Sequence, residues 1–169
     1  MHFADRLFQS ISKKGTPLCV GFDPHLEQLP PDIVAQCRRR NSGSWHSAAA
    51  DAIQEFLLTI LDRIQNHVAV IKPQFAFFEQ FGPDGMRVLQ RICKDARNAG
   101  LIVIGDAKRS DIGSTAQAYA RAYLEDPEES NIENSPAIPL DALTINPYLG
   151  WEGIKPFLEM KTSTGVSFW

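Results

Sequence analysis

The chain has 169 residues, 44% of them hydrophobic and 22% charged, and carries a formal net charge of -3. That is long enough for one domain with a buried core, and the composition is that of an ordinary globular protein. An acidic balance lacks the basic face that nucleic acid or an anionic membrane rewards, so neither is an expected partner, while a small anionic molecule can still be held by local cations.

The first predicted element is a helix in "MHFADRLFQSISKKG", with Phe3, Leu7, Phe8 and Ile11 on one face and a Lys-Lys-Gly stop. It lacks the apolar centre and cleavage site of a signal peptide, and no stretch reaches the roughly 18 apolar residues of a membrane span. Cys19, Cys37 and Cys93 are scattered and show no metal-ligand spacing, so they read as reduced thiols. These features predict a soluble, cytoplasmic protein.

Four short apolar runs follow: "PLCVGFDP" at 17–24, "HVAVIKPQF" at 67–75, "GLIVIGDAK" at 100–108 and "LDALTINPY" at 140–148. Near-continuous apolar content, without strict alternation, suits strands covered on both faces, as in a parallel sheet. Between them lie helical patterns. Over 47–65, the residues Ala49, Ile53, Phe56, Leu57, Ile60, Leu61 and Ile64 form one stripe. Over 83–98, Met86, Leu89, Ile92, Cys93 and Ala96 form another, and Gly100 follows as a stop. Residues 113–124 are Ala-rich and open on Ser114 and Thr115, and 151–160 is a weaker helix interrupted by Pro156. The aromatics of "QFAFFEQF" suit core packing. Segments 37–44 and 125–139 are predicted surface insertions in a single domain spanning 1–169. Strands and helices therefore alternate, and the fold class is α/β with a parallel sheet.

Charge gathers where the strands end. Asp23 closes the first run, Lys72 sits in the second, and Asp106 and Lys108 sit in the third, with Asp111 just beyond. The carboxyl ends of parallel strands share one edge, so these side chains are expected at one mouth. An ammonium between carboxylates keeps its proton. Beside a bound carboxylic acid, such an array can disfavour the substrate carboxylate, stabilise the carbanion left when carbon dioxide departs, and protonate it, with no metal and no cofactor. The same spacing also suits a structural ion-pair network. Asn146, ending the fourth run, either faces a substrate or satisfies backbone, and His25 reads as a surface residue.

"DAKRSDIGST", with "LCVGFDP", "IKPQFAFFEQFG" and "DALTINPYLG", resembles the orotidine 5'-phosphate decarboxylase family, in its second, bacterial subgroup. The resemblance runs in order from Phe3 to about Phe157. It implies a (β/α)8 barrel that converts orotidine 5'-phosphate to UMP and carbon dioxide, without cofactor, in pyrimidine biosynthesis. By position, Lys108 matches the family's proton donor, Asp106 the carboxylate beside the substrate carboxylate, and Lys72 the lysine that orders the array. Asp23 matches a ribose ligand. Asp111, Ile112 and Thr115 match residues contributed across a homodimer interface. Related sugar-phosphate barrels share D-x-K-x-x-D but are metal-dependent and carry glutamate where this chain has Lys72. A Schiff-base aldolase would need a lysine without its proton, which the aspartates oppose.

A complete barrel of this kind takes typically about 250 residues. Four strand-helix units are accounted for by residue 160, and "GVSFW" reads as the beginning of a further strand. The expectation is therefore the N-terminal half of a (β/α)8 barrel, C-terminally truncated. The phosphate-binding residues that the family places after its seventh and eighth strands are absent, so little activity is expected from the chain alone. A non-catalytic remnant acting by association is the alternative.

Overall fold

The computed structural model describes residues 1–124, 138–160 and 165–168. The elements run α1 (Phe3–Lys14), β1 (Cys19–Phe22), α2 (Pro31–Arg40), α3 (Trp45–Ile64), β2 (Val70–Pro73), α4 (Ala76–Glu79), α5 (Gly82–Asn98), β3 (Ile102–Arg109), α6 (Gly113–Leu124), β4 (Ala142–Ile145), α7 (Trp151–Leu158) and β5 (Gly165–Phe168). The strands form one sheet in the order β1-β2-β3-β4-β5, every pairing parallel. Sequential parallel neighbours joined by helices are the first half of a (β/α)8 barrel. The fifth strand extends the four expected units and coincides with "GVSF".

The two faces of the sheet differ. Phe22, Ile71, Val103, Leu143 and Ile145 point to the helices and join one core with Ile53, Leu57, Leu89 and Ile92. On the other face Val70 and Ile102 form a smaller cluster with Phe3, Leu7 and Ile11 of α1. The hydroxyl of Ser10 donates to the Ala69 carbonyl (3.1 Å), and Lys14 Nζ donates to the Gln65 carbonyl (2.6 Å), so α1 lies across the amino ends of the inner strands. Phe8, expected on the same apolar stripe, is instead 70% exposed. Cys19 and Gly21 of β1 also face solvent, because β1 is an edge strand and the inner face beside it is uncovered.

Two predicted boundaries are corrected. Residues 37–44 are not a separate insertion: 37–40 form the last turn of α2, whose Cys37 is buried, and Ser44 caps α3 by accepting from the Ser47 amide. Helix α2 has the right end chemistry, with Pro31 and Asp32 at its start and Arg38, Arg39 and Arg40 at its end, but little apolar stripe to announce it. Helix α7 runs through Pro156 to Leu158 without interruption. The other predicted insertion, 125–139, lies outside the described residues except for its last two positions. The aromatics after β2 are core: Phe75, Phe78 and Phe81 are buried.

Candidate active site

Strands β2, β3 and β4 meet at their carboxyl ends around one buried carboxylate. Asp106 is 3% exposed. Its Oδ2 accepts from Lys72 Nζ (2.7 Å) and Gln74 Nε2 (3.0 Å), and its Oδ1 accepts from Lys108 Nζ (2.5 Å) and the Thr144 hydroxyl (3.0 Å). Register explains the convergence. Gln74, one residue past the end of β2 and two positions from Lys72, bridges to Asp106, so both side chains share the inner face with the carboxylate.

Burial pushes the Asp106 carboxyl up, but the hydrogen bonds from Lys108, Lys72 and Thr144 outweigh it and hold the group below its ordinary value. The carboxylate is therefore ionised at neutral pH. Two ammoniums around one carboxylate leave the cluster with about one surplus positive charge, which suits an anionic group docked beside it.

Lys108 does not reach Asp106 by simple strand alternation. On β4 the positions Leu143 and Ile145 are two apart, while their β3 partners Gly105 and Arg109 are four apart. The surplus residues bulge, and Lys108 takes a left-handed backbone conformation with φ 48°, unique among the described non-glycine residues. That conformation costs about 1–2 kcal/mol for a residue with a Cβ. The Thr144 hydroxyl holds it, accepting from the amides of both Ala107 and Lys108 (3.0 Å each). A bulge at a sheet end is a recurrent way to re-aim a side chain.

The remaining predicted residues surround this centre. Asp23 follows β1 and is exposed, with Oδ1 3.7 Å from where a Cβ on Gly21 would stand; Gly21 is the register partner of Lys72. Asp111 is not among the hydrogen-bond partners of Asp106; its Oδ1 accepts from the Ile112 amide (2.8 Å). Ile112 and Thr115, at the start of α6, are exposed. Asn146 satisfies backbone, accepting from the Tyr148 amide (2.9 Å) through its side-chain oxygen. His25 Nδ1 lies 3.3 Å from a Glu27 carboxylate oxygen, and its ring packs at a tilt against Phe77. Gln74 and Thr144 were not predicted. Both are uncharged, and their only sequence signal is a polar residue two positions from, or level with, a charged one at a strand end.

The chain matches the orotidine 5'-phosphate decarboxylase / HUMPS family over residues 16–167. It is 45% identical to an orotidine 5'-phosphate decarboxylase of Rhodopirellula baltica over 160 residues, covering 95% of this chain and 50% of that protein. It is 39% identical to the protein of the same description in a Nocardioides species, covering 97% and 52%. Among solved structures, the OMP decarboxylase of Leishmania donovani aligns with a TM-score of 0.67 at 29% identity, covering 99% of this chain and 53% of that one. The chain thus spans about half the length of the curated relatives it matches.

Proposed function

Because the chain belongs to the orotidine 5'-phosphate decarboxylase / HUMPS family, we propose that its Lys72–Asp106–Lys108 array decarboxylates orotidine 5'-phosphate to UMP, a lyase step of pyrimidine biosynthesis. One observation carries the reading: a buried, ionised carboxylate held between two ammoniums at the strand ends. The substrate carboxylate would lie against Asp106, where two like charges make the ground state unfavourable. As the bond from C6 to the carboxylate breaks, its electron pair stays on C6 and carbon dioxide leaves. The Lys108 ammonium stabilises that pair and then gives C6 a proton; solvent returns the proton to Lys108. Lys72 keeps Asp106 fixed throughout, and Asp23 is the proposed ribose ligand.

Metal-dependent sugar-phosphate chemistry of the same superfamily is less well supported. A divalent ion at Asp106 would have to displace the Lys72 ammonium from Oδ2. No cofactor is needed for the proposed step. Asp111, Ile112 and Thr115 are proposed to act across a homodimer interface, as the resemblance implies.

The 169 residues are about half of a relative, so assayed alone they are expected to turn over orders of magnitude more slowly, lacking the remote binding contributions that lower a barrier elsewhere in a substrate. The test therefore uses two proteins: the chain itself, and a graft of residues 16–160 into the matching half of the Rhodopirellula baltica relative. Release of carbon dioxide from carboxyl-labelled substrate by the graft, abolished by Lys108→Ala, is the expected result. A folded graft that releases none, or one indifferent to Lys108→Ala, sinks the proposal.

A further inference from the structure

Directly beside Lys108, the side chain of Arg109 points the other way, to the helix side of the sheet. Its Nη2 donates to the Tyr123 hydroxyl (3.1 Å) and pairs with Glu79. The guanidinium also stands over three rings, at 5.8 Å from Phe75 and 5.5 Å from both Tyr119 and Tyr123. Only a fifth of the side chain is exposed, and its Nε is buried with no hydrogen-bond partner. A guanidinium this confined is an anchor with several fixed contacts, and a flexible lysine would not reproduce it.

The anchor bears on Lys108 through the backbone. The Arg109 carbonyl accepts from the Asn146 amide (2.9 Å), and the Asp106 carbonyl accepts from the Phe75 amide (3.0 Å). Residues 106 and 109 are thus pinned on opposite sides, to the segments just beyond the ends of β2 and β4, while the stretch between Gly105 and Arg109 holds two residues more than the β4 register. With both ends fixed, the surplus must arch, and the arch is where Lys108 adopts φ 48°. Phe75 caps the start of α4 and Glu79 is its last residue, a few positions past Lys72 of β2 and Gln74 just beyond it, so the same guanidinium ties that segment to α6.

We propose that Arg109 is a positioning residue: its anchorage among Glu79, Tyr123 and the three rings fixes the bulge that aims Lys108 at Asp106. The functional meaning of this role rests on the decarboxylase reading, but the geometry is measurable without turnover. The probe is the carbon-13 signal of the Asp106 side-chain carboxyl in the 169-residue chain, assigned by its loss in Asp106→Asn and followed against pH. Lys72 and Lys108 are the charged groups facing it.

In Arg109→Met the Asp106 titration midpoint should rise by about one pH unit as Lys108 swings away. Arg109→Lys should recover part of that shift, and Glu79→Gln should give a smaller rise in the same direction. Leu61→Ala, a core truncation far from the bulge, should lower thermal stability and leave the midpoint in place. Should Arg109→Met fail to fold, Glu79→Gln decides the matter, since Glu79 is partly exposed. An unmoved midpoint in the folded Arg109 and Glu79 variants, or an equal shift in Leu61→Ala, overturns the proposal. Turnover of the unmodified graft is scored separately: an inactive graft with a shifted midpoint defeats the decarboxylase reading alone, and an active graft with an unmoved midpoint defeats the positioning role alone.

Discussion

Buried as deeply as Asp106 is, a carboxyl would ordinarily give up its charge, and only the donors around it keep it ionised. Its folded value lies below its ordinary one of 3.8, so the stability it contributes is full above that value and is lost as pH falls through the folded value. Urea unfolding between about pH 5 and pH 2 should therefore show the natural chain losing stability more steeply than Asp106→Asn, which cannot titrate there. Parallel curves would remove the ionised carboxylate from the site. Thr144 is tested by a different substitution. Thr144→Val keeps the shape but orphans the amides of Ala107 and Lys108, at a cost of about 1–3 kcal/mol in unfolding free energy, while Thr144→Ser should cost much less. Lys72, Asp106 and Lys108 were legible in the sequence because charge at the end of an apolar run is expensive unless it is used. Thr144 and Gln74 carry no such penalty and resemble any polar strand end.

The elements that position this centre are braced at the opposite end of the sheet. Asp141, fully buried just before β4, accepts from the Val103 amide (2.8 Å), pairs with Arg6 of α1, and lies 3.5 Å from Arg97 of α5. One carboxylate thus ties α1, α5 and two strands together. Asp141→Asn should destabilise the chain by about 1.5–3 kcal/mol in urea unfolding. It should also speed hydrogen exchange across α1 while leaving the Asp106 titration in place, and a shifted titration would contradict this division of labour. Strands β1 to β4 could be read from apolar runs and α3 and α5 from the helical period, because each buries a continuous stripe, while α6 was announced by its Ala-rich run and the Ser114 and Thr115 at its start. Helix α2 buries Cys37 and little else, so its pattern was too polar to see. The bulge in β3 left no trace at all: it arises from where Gly105 and Arg109 are pinned by β4, which is a property of the tertiary pairing.

At the scale of the molecule, the same end that holds the array also shows four large exposed apolar side chains. Ile112 is 55% exposed, Tyr148 90%, Leu149 48% and Trp151 60%, all in the segments that follow β3 and β4. Apolar residues grouped in this way mark an interaction surface more often than an idle one. Asp111 and Thr115 flank Ile112, and the family resemblance assigns all three to contact with a second copy. A symmetric pair would bring each protomer's Asp111 toward its partner's mouth, and closed twofold pairing is the commonest solution for such a patch. Sedimentation of the chain at micromolar concentration should therefore give the mass of a dimer. Trp151→Lys and Ile112→Lys, each placing a charge in the contact, should shift it to the monomer without lowering thermal stability measured at high dilution. A mass unchanged by either substitution would place the contact elsewhere, and Asp111 would then have no route to a neighbour's Lys108.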